Sequence, residues 1–168
     1  IVLMIAIVLD QITKFYLSSI KENSPFVIIT DVLELRYHEN RGAAFGILQG
    51  QRVFFVFMAI VVFCIMTFII LRIPKDKKYV KLNISLVLIL AGAIGNTIDR
   101  VLHGYVTDFI YFKIIDFPIF NVADMYITIS TFWIVIMIFF CFKEEDLEFI
   151  NFFPQKNTRD ANYHKKEE

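Results

Sequence analysis

The residues able to do chemistry in this chain are few, and most are carboxylates and carboxamides. Asp10 and Lys14 sit in the first apolar stretch, and Asn96, Asp99 and Arg100 close the third. Asp108 follows in Val106-Thr107-Asp108-Phe109, and Asp124 ends Phe120-Asn121-Val122-Ala123-Asp124. Paired carboxylates with Asn and Arg supports suit acid–base work on water. No serine lies in a nucleophile elbow, no phosphate-cradling glycine loop appears, and His38, His103 and His164 lack metal-ligand spacing. The spacing leaves open which carboxylates meet.

Each candidate also has a plainer role. Asp10 and Lys14 are i, i+4 on a helix face and form a natural ion pair locking the first helix to its neighbours. Gly92, Asn96, Asp99 and Arg100 share one face, where the small residues allow close helix approach. Asp99 there can hold Arg100, and a snorkelling Arg at a helix end fits as well. Asp124 suits a helix cap, Asp108 a solvated loop, and Asp116 beside Pro118 a turn. Glu39-Asn40-Arg41-Gly42-Ala43-Ala44-Phe45-Gly46 permits a tight turn and close backbone approach, with Asn40 offering an amide.

The elements that must position these groups are membrane spans. Of 168 residues 57% are hydrophobic and 19 are Phe, more apolar surface than a soluble core of this size can hide. Val53–Leu71 and Met125–Phe142 carry no charge, and each approaches the roughly 20 residues that cross a bilayer. Leu82–Ile98 is a third span and Ile1–Ile20 a fourth. The expected architecture is an α-helical polytopic membrane protein with helices over about 1–20, 53–71, 82–100 and 124–142, forming one membrane domain over 1–143. Ile1 lies inside an apolar run, so a short preceding stretch is expected, and no cleavable signal peptide is evident. There is no internal repeat of the kind found in inverted-repeat transporters.

Arg72, Lys75, Lys77, Lys78 and Lys81 crowd one short link against Asp76 alone. The positive-inside rule puts that link and both termini in the cytoplasm, with the longer connections outside. In the first of these, Leu33, Leu35 and Tyr37 alternate with Glu34, Arg36 and His38, which predicts a half-buried strand pairing with Phe26–Thr30 across a turn near Asp31. A small extracytoplasmic β-sheet over about 26–48 follows. Tyr105–Phe120 reads as an interfacial segment between the third and fourth helices. The tail over 144–168 reads as charged, cytoplasmic and solvated. Lys+Arg and Asp+Glu both total 17, which argues against a nucleic-acid partner. Cys64 and Cys141 read as buried apolar residues without disulfide or zinc spacing.

Five motifs in order on four spans, Asp10-Gln11-Ile12-Thr13-Lys14, Asn40-Arg41-Gly42-Ala43-Ala44-Phe45, Gly92 through Arg100, Val106-Thr107-Asp108-Phe109 and Phe120-Asn121-Val122-Ala123-Asp124, resemble the lipoprotein signal peptidase family, the bacterial type II signal peptidases. The resemblance runs from about Leu9 to about Phe142. It implies a membrane aspartic endopeptidase of the bacterial inner membrane, without cofactor or metal, working as a monomer near the outer face. Its substrates would be prolipoproteins, cut just before a diacylglyceryl-modified cysteine, in contact with membrane lipid. By motif, Asp108 and Asp124 correspond to the catalytic dyad. Asn40, Gly42, Asn96, Arg100, Asn121 and Ala123 correspond to the surrounding site, and Asp10 and Lys14 to structural supports. Asp99 is the rival for the dyad, preferred here as the residue that orients Arg100. Two other classes stay in play on the residues alone: a Mg-dependent membrane phosphotransferase, which needs carboxylates clustered on one metal, and a proton-coupled transporter, which needs them near mid-span.

Overall fold

An uninterrupted apolar run with no proline has one backbone solution inside a bilayer, the helix, because only there are all its amides satisfied internally. In the computed structural model, which describes residues 1–19, 25–42 and 48–150, the four apolar stretches form α1 (Val2–Ser18), α2 (Arg52–Arg72), α3 (Val80–Leu102) and α4 (Val122–Phe140). Among the described residues α2, α4 and the stretch Lys77–Leu102 are long and apolar enough to cross a membrane. The chain is a polytopic α-helical membrane protein carrying a small antiparallel sheet.

Helix α3 is the centre of the bundle and packs against the other three. Its sequence explains why. Ala91, Gly92 and Gly95 keep one side thin, so that neighbouring backbones come close. At Gly92 a β-carbon would lie 2.5 Å from the Ala123 carbonyl oxygen, and at Gly95 2.4 Å from an Asp10 carboxylate oxygen. Helix α2 is the opposite case: none of its 21 residues is buried by protein. Cys64 on α2 and Cys141 just past α4 are both free and exposed, not buried as the composition suggests. An apolar residue in a membrane protein can be covered by lipid instead of by a core.

The predicted hairpin is present. β1 (Phe26–Ile29) and β2 (Leu33–Asn40) pair antiparallel around Asp31, which adopts a left-handed φ of 57°. The segment read as purely interfacial is different: Val106–Phe112 is a third strand, β3, giving the order β1-β2-β3. Apart from the adjacent Thr107 and Asp108, which fall on opposite faces, its side chains are apolar or aromatic on both faces, so no alternation marks it. Burial on β2 also departs from the simple pattern. Glu34 is 4% exposed, held by Arg36 at 2.9 Å and Lys113 at 3.2 Å, while Leu33 and Leu35 are half-buried.

Between Leu35 and His38 the β2–β3 register shifts. Leu35 faces Ile110 before the shift, and His38 faces Asp108 and Asn40 faces Val106 after it. The extra residue is on β2, as in a bulge. Without it Asn40 would stand on the opposite face from Asp108, since a one-residue slip inverts every side chain.

At the other end of the bundle, the start of the tail is docked rather than solvated. Glu144–Ile150 forms a 3-10 turn. Tyr79 stacks on Phe142 with centroids 5.5 Å apart, meets Phe149 edge-on at 5.6 Å, and donates its hydroxyl to the Asp146 carbonyl at 3.0 Å. Ile73, Leu82, Leu86 and Met137 complete this cluster. Residues 151–168 lie outside the described residues. Replacing Tyr79 with Ala is expected to cost about 3 kcal/mol, as for other large core truncations, and to lower the unfolding temperature measured in detergent.

Candidate active site

Four polar segments converge where α1, α3, β3 and the start of α4 meet. The deepest layer belongs to α1. Asp10 is fully buried and Lys14 is 4% exposed, because the thin faces at Gly95 and Ala123 admit α1 to contact distance. The Lys14 ammonium lies 2.9 Å from Asp10 and 3.2 Å from Asp99, and donates to Asn96 Oδ1 at 2.9 Å. Asp10 also accepts the backbone N–H of Ala123 at 2.9 Å, tying α1 to the first turn of α4.

Asp99 belongs to this layer. It accepts from Lys14, from Gln11 Nε2 at 3.1 Å and from the Thr107 backbone N–H at 3.0 Å. It forms no hydrogen bond with Arg100, contrary to the role expected of it. The next residue along a helix is turned by 100°, so Asp99 faces α1 while Arg100 faces the sheet side. Arg100 instead donates to the Gly42 carbonyl at 3.1 Å, and its guanidinium lies 4.5 Å from the Phe55 ring centroid. Gly42 in turn donates its N–H to Asn40 Oδ1 at 3.0 Å. The residues Ala43, Ala44, Phe45 and Gly46 of the same motif lie outside the described residues.

Above that layer sit two carboxylates joined through amides. Asp108, 1% exposed on β3, accepts from Asn121 Nδ2 at 2.6 Å and from Asn40 Nδ2 at 2.9 Å. Asp124 accepts from Asn96 Nδ2 at 2.8 Å. Asn121 caps α4: its Oδ1 accepts the Asp124 N–H at 3.0 Å, and the Asp124 carboxylate accepts the Asn121 N–H at 3.3 Å. The capping role and the site role of Asp124 therefore coincide. Asn121 Nδ2 also donates to Asn96 Oδ1 at 3.1 Å. That single oxygen receives both Lys14 and Asn121, which fixes the Asn96 amide with its NH₂ toward Asp124.

Burial pushes the Asp108 carboxyl up to about 7, and the nearby Asp124 charge acts in the same direction against the two amide donors. Asp108 and Asp124 both line a cavity of about 1000 Å³. Asn96 and Arg100 line it beside them, and Met125, Thr128 and Ile129 extend it along α4. Such a site can hold a proton on one carboxyl and present the other to a water molecule. Among the described residues no group of three or more His, Cys, Asp or Glu side chains could hold a metal ion.

The residue that sequence reasoning left out is Gln11. Its amide bridges Asp10, Asp99 and the Gly95 carbonyl. A carboxamide in an otherwise apolar span, next to Asp10, was the available signal. Asp116 takes a left-handed turn position at φ 46° and accepts from the Tyr111 hydroxyl, in keeping with turn chemistry.

Comparison with known proteins agrees with this geometry. The family model described as signal peptidase (SPase) II matches residues 2–140. The lipoprotein signal peptidase of Clostridium tetani (strain Massachusetts / E88) is 38% identical over 152 residues, covering 88% of this chain and 94% of that protein. That of Brevibacillus brevis (strain 47 / JCM 6285 / NBRC 100599) is 45% identical over 127 residues, covering 75% and 84%. A bacterial membrane enzyme solved by the in meso method superposes with a TM-score of 0.74 at 37% identity, over 82% of this chain and 85% of that one. The phosphotransferase and transporter readings gain nothing from these relatives. With a family match over most of its length and relatives well above 30% identity, the chain belongs to the signal peptidase (SPase) II family.

Proposed function

We propose that the protein is an aspartic endopeptidase that removes the signal peptide from prolipoproteins, cutting just before a diacylglyceryl-modified cysteine, with Asp108 and Asp124 as its dyad. The observation that carries the assignment is the pair itself: two carboxylates on one cavity, linked through Asn121 and Asn96. With its carboxyl raised to about 7, Asp108 holds a proton near neutrality and is the natural donor toward the scissile carbonyl oxygen. Asp124 then takes the proton of the attacking water. Asn96, Asn121 and Asn40 hold the carboxylates in register, and Arg100 with Gly42 shapes the cavity wall. Collapse of the tetrahedral intermediate returns a proton to the leaving amine.

The setting supports a substrate that is half lipid. α1, with 17 residues, reaches about 25 Å at 1.5 Å per residue and serves as the fourth span. Its two charges are spent inside the bundle. The basic Arg72–Lys81 link lies at the cytoplasmic face with both termini, which puts Asn96 and Arg100, at the far end of α3, near the outer face of the inner membrane. Exposed Ile114, Ile115 and Phe117 suit the interfacial zone beside it. The membrane domain spans 1–143, the outer sheet lies within about 26–48 plus β3, the charged tail follows on the cytoplasmic side, and the enzyme works as a monomer. Acyl chains of the substrate stay along α4 while the peptide bond reaches the dyad.

The test is cleavage of a lipidated prolipoprotein by purified protein, beside the same precursor without its diacylglyceryl group. Processing of the lipidated form alone is expected; equal processing of both would refute the substrate assignment. The pH profile adds a sign. Below about 7 Asp108 keeps its proton, and above it the proton leaves and the donor is lost. The kcat/KM is therefore expected to fall as pH rises through about 7. A rate still climbing well above that pH would remove Asp108 from the donor role.

A further inference from the structure

A second concavity lies on the side of α3 turned away from the dyad. Its walls include Ala59, Ile60 and Phe63 of α2 and Ile94, Ile98 and Val101 of α3, and it encloses about 340 Å³. Among the described lining residues the one polar side chain, Thr97, turns its hydroxyl back to the Ala93 carbonyl at 2.6 Å. From Ile94 to Leu102 the groove runs about 12 Å along the helix at 1.5 Å per residue. An apolar slot of that shape, between α2 and the side of α3 that faces it, fits a single acyl chain.

The mouth of the slot is not apolar. Arg52, exposed at the start of α2, donates to the carbonyl of Val101 and so closes the dyad end of the same groove. That bond uses one of five guanidinium donors. The first turn of α2 contains no acidic residue, and among the described residues no carboxylate forms an ion pair with Arg52. A cation at the end of a membrane-spanning helix sits at headgroup depth, where anionic lipids supply its counter-charge.

We propose that this groove and Arg52 form a seat for an anionic glycerophospholipid, with one acyl chain between α2 and α3 and the phosphate on the guanidinium. The occupant bridges the helix that has no protein-buried residue to the helix that carries the site. Phe55 of the same helix α2 packs on the Arg100 guanidinium, so an occupant that steadies α2 also steadies that contact.

The experiment places the full chain in nanodiscs of mixed phosphatidylglycerol and phosphatidylcholine and identifies retained lipid by native mass spectrometry. Native protein is expected to retain phosphatidylglycerol over phosphatidylcholine by about fivefold, the scale of one cation at an anionic surface. Arg52→Gln should abolish the preference and Arg52→Lys should keep most of it. Ala59→Leu fills the groove and should lose retained lipid of either kind, and Ile98→Phe does the same from α3 if the first variant folds poorly. No preference in the native protein, a preference that survives Arg52→Gln, or retention that survives both groove-filling variants would overturn the proposal. Prolipoprotein cleavage measured on the same native sample reports separately on the peptidase assignment.

Discussion

Asp108→Asn and Asp124→Asn are each expected to lower kcat for prolipoprotein cleavage by at least about a thousandfold, within the range that proton transfer by a positioned side chain supplies. The loss has two sources. The amide can neither cycle a proton as a carboxyl does nor accept on both of its ends. Asp108 receives an N–H on each oxygen, from Asn121 and from Asn40. In the variant one of those NH₂ groups meets another, and an amide must turn away. Asp99→Asn separates this from general damage. Asp99 faces Lys14, Gln11 and Thr107 and does not line the cavity. Its substitution is expected to cost stability, about 1.5–3 kcal/mol for a hydrogen bond to a charged group, while kcat of the folded fraction falls far less. Equal loss of kcat in Asp99→Asn and Asp108→Asn, with unfolding temperatures unchanged, would hand the dyad position to Asp99.

Gly95→Ala is expected to be among the most damaging single-methyl additions at the described residues. The new β-carbon would sit 2.4 Å from Asp10 Oδ2 and 3.2 Å from its Cγ. That carboxylate cannot rotate aside, because its other oxygen holds the Ala123 N–H and Oδ2 itself faces Lys14. Helix α1 must retreat, and the retreat pulls Lys14 from Asn96. Overpacking alone costs about 1–3 kcal/mol, and breaking a buried ion pair about 3–5. Most of the protein should therefore fail to fold, as read from monodisperse yield in detergent and the unfolding temperature of what remains. Ala91→Gly, the reverse change on the same helix, adds no atoms and should leave folded protein in good yield. A Gly95→Ala protein with native unfolding temperature would show that α1 is not held at the distance described.

The amino-acid sequence made the three long spans, the hairpin and most of the polar residues that converge beside the cavity legible, since each has a local signature. Charge-free runs mark α2 and α4, alternation marks β2, and a polar end marks α3. What stayed hidden depends on partners distant in sequence. β3 has no polar–apolar alternation, with Thr107 and Asp108 on opposite faces, and its place in the sheet depends on pairing with the distant β2. The bulge before His38 has no glycine to announce it, yet it decides that Asn40 and Asp108 share a face. The resemblance and adjacency in sequence give Asp99 to Arg100, whereas the thin face at Gly95 brings Lys14 to Asp99 instead. Tyr79 gave no sign that it would gather Phe142 and Phe149, so the start of the tail read as solvated.

The capping box at Asn121 and Asp124 has a consequence for the timing of synthesis. One half of the proposed dyad is a helix cap that exists only once the first turn of α4 has wound, and α4 is the last of the four helices to leave the ribosome. Every shorter nascent chain carries Asp108 without its partner. On the proposed assignment, the pair of carboxylates that would activate water is therefore assembled only when the bundle is completed.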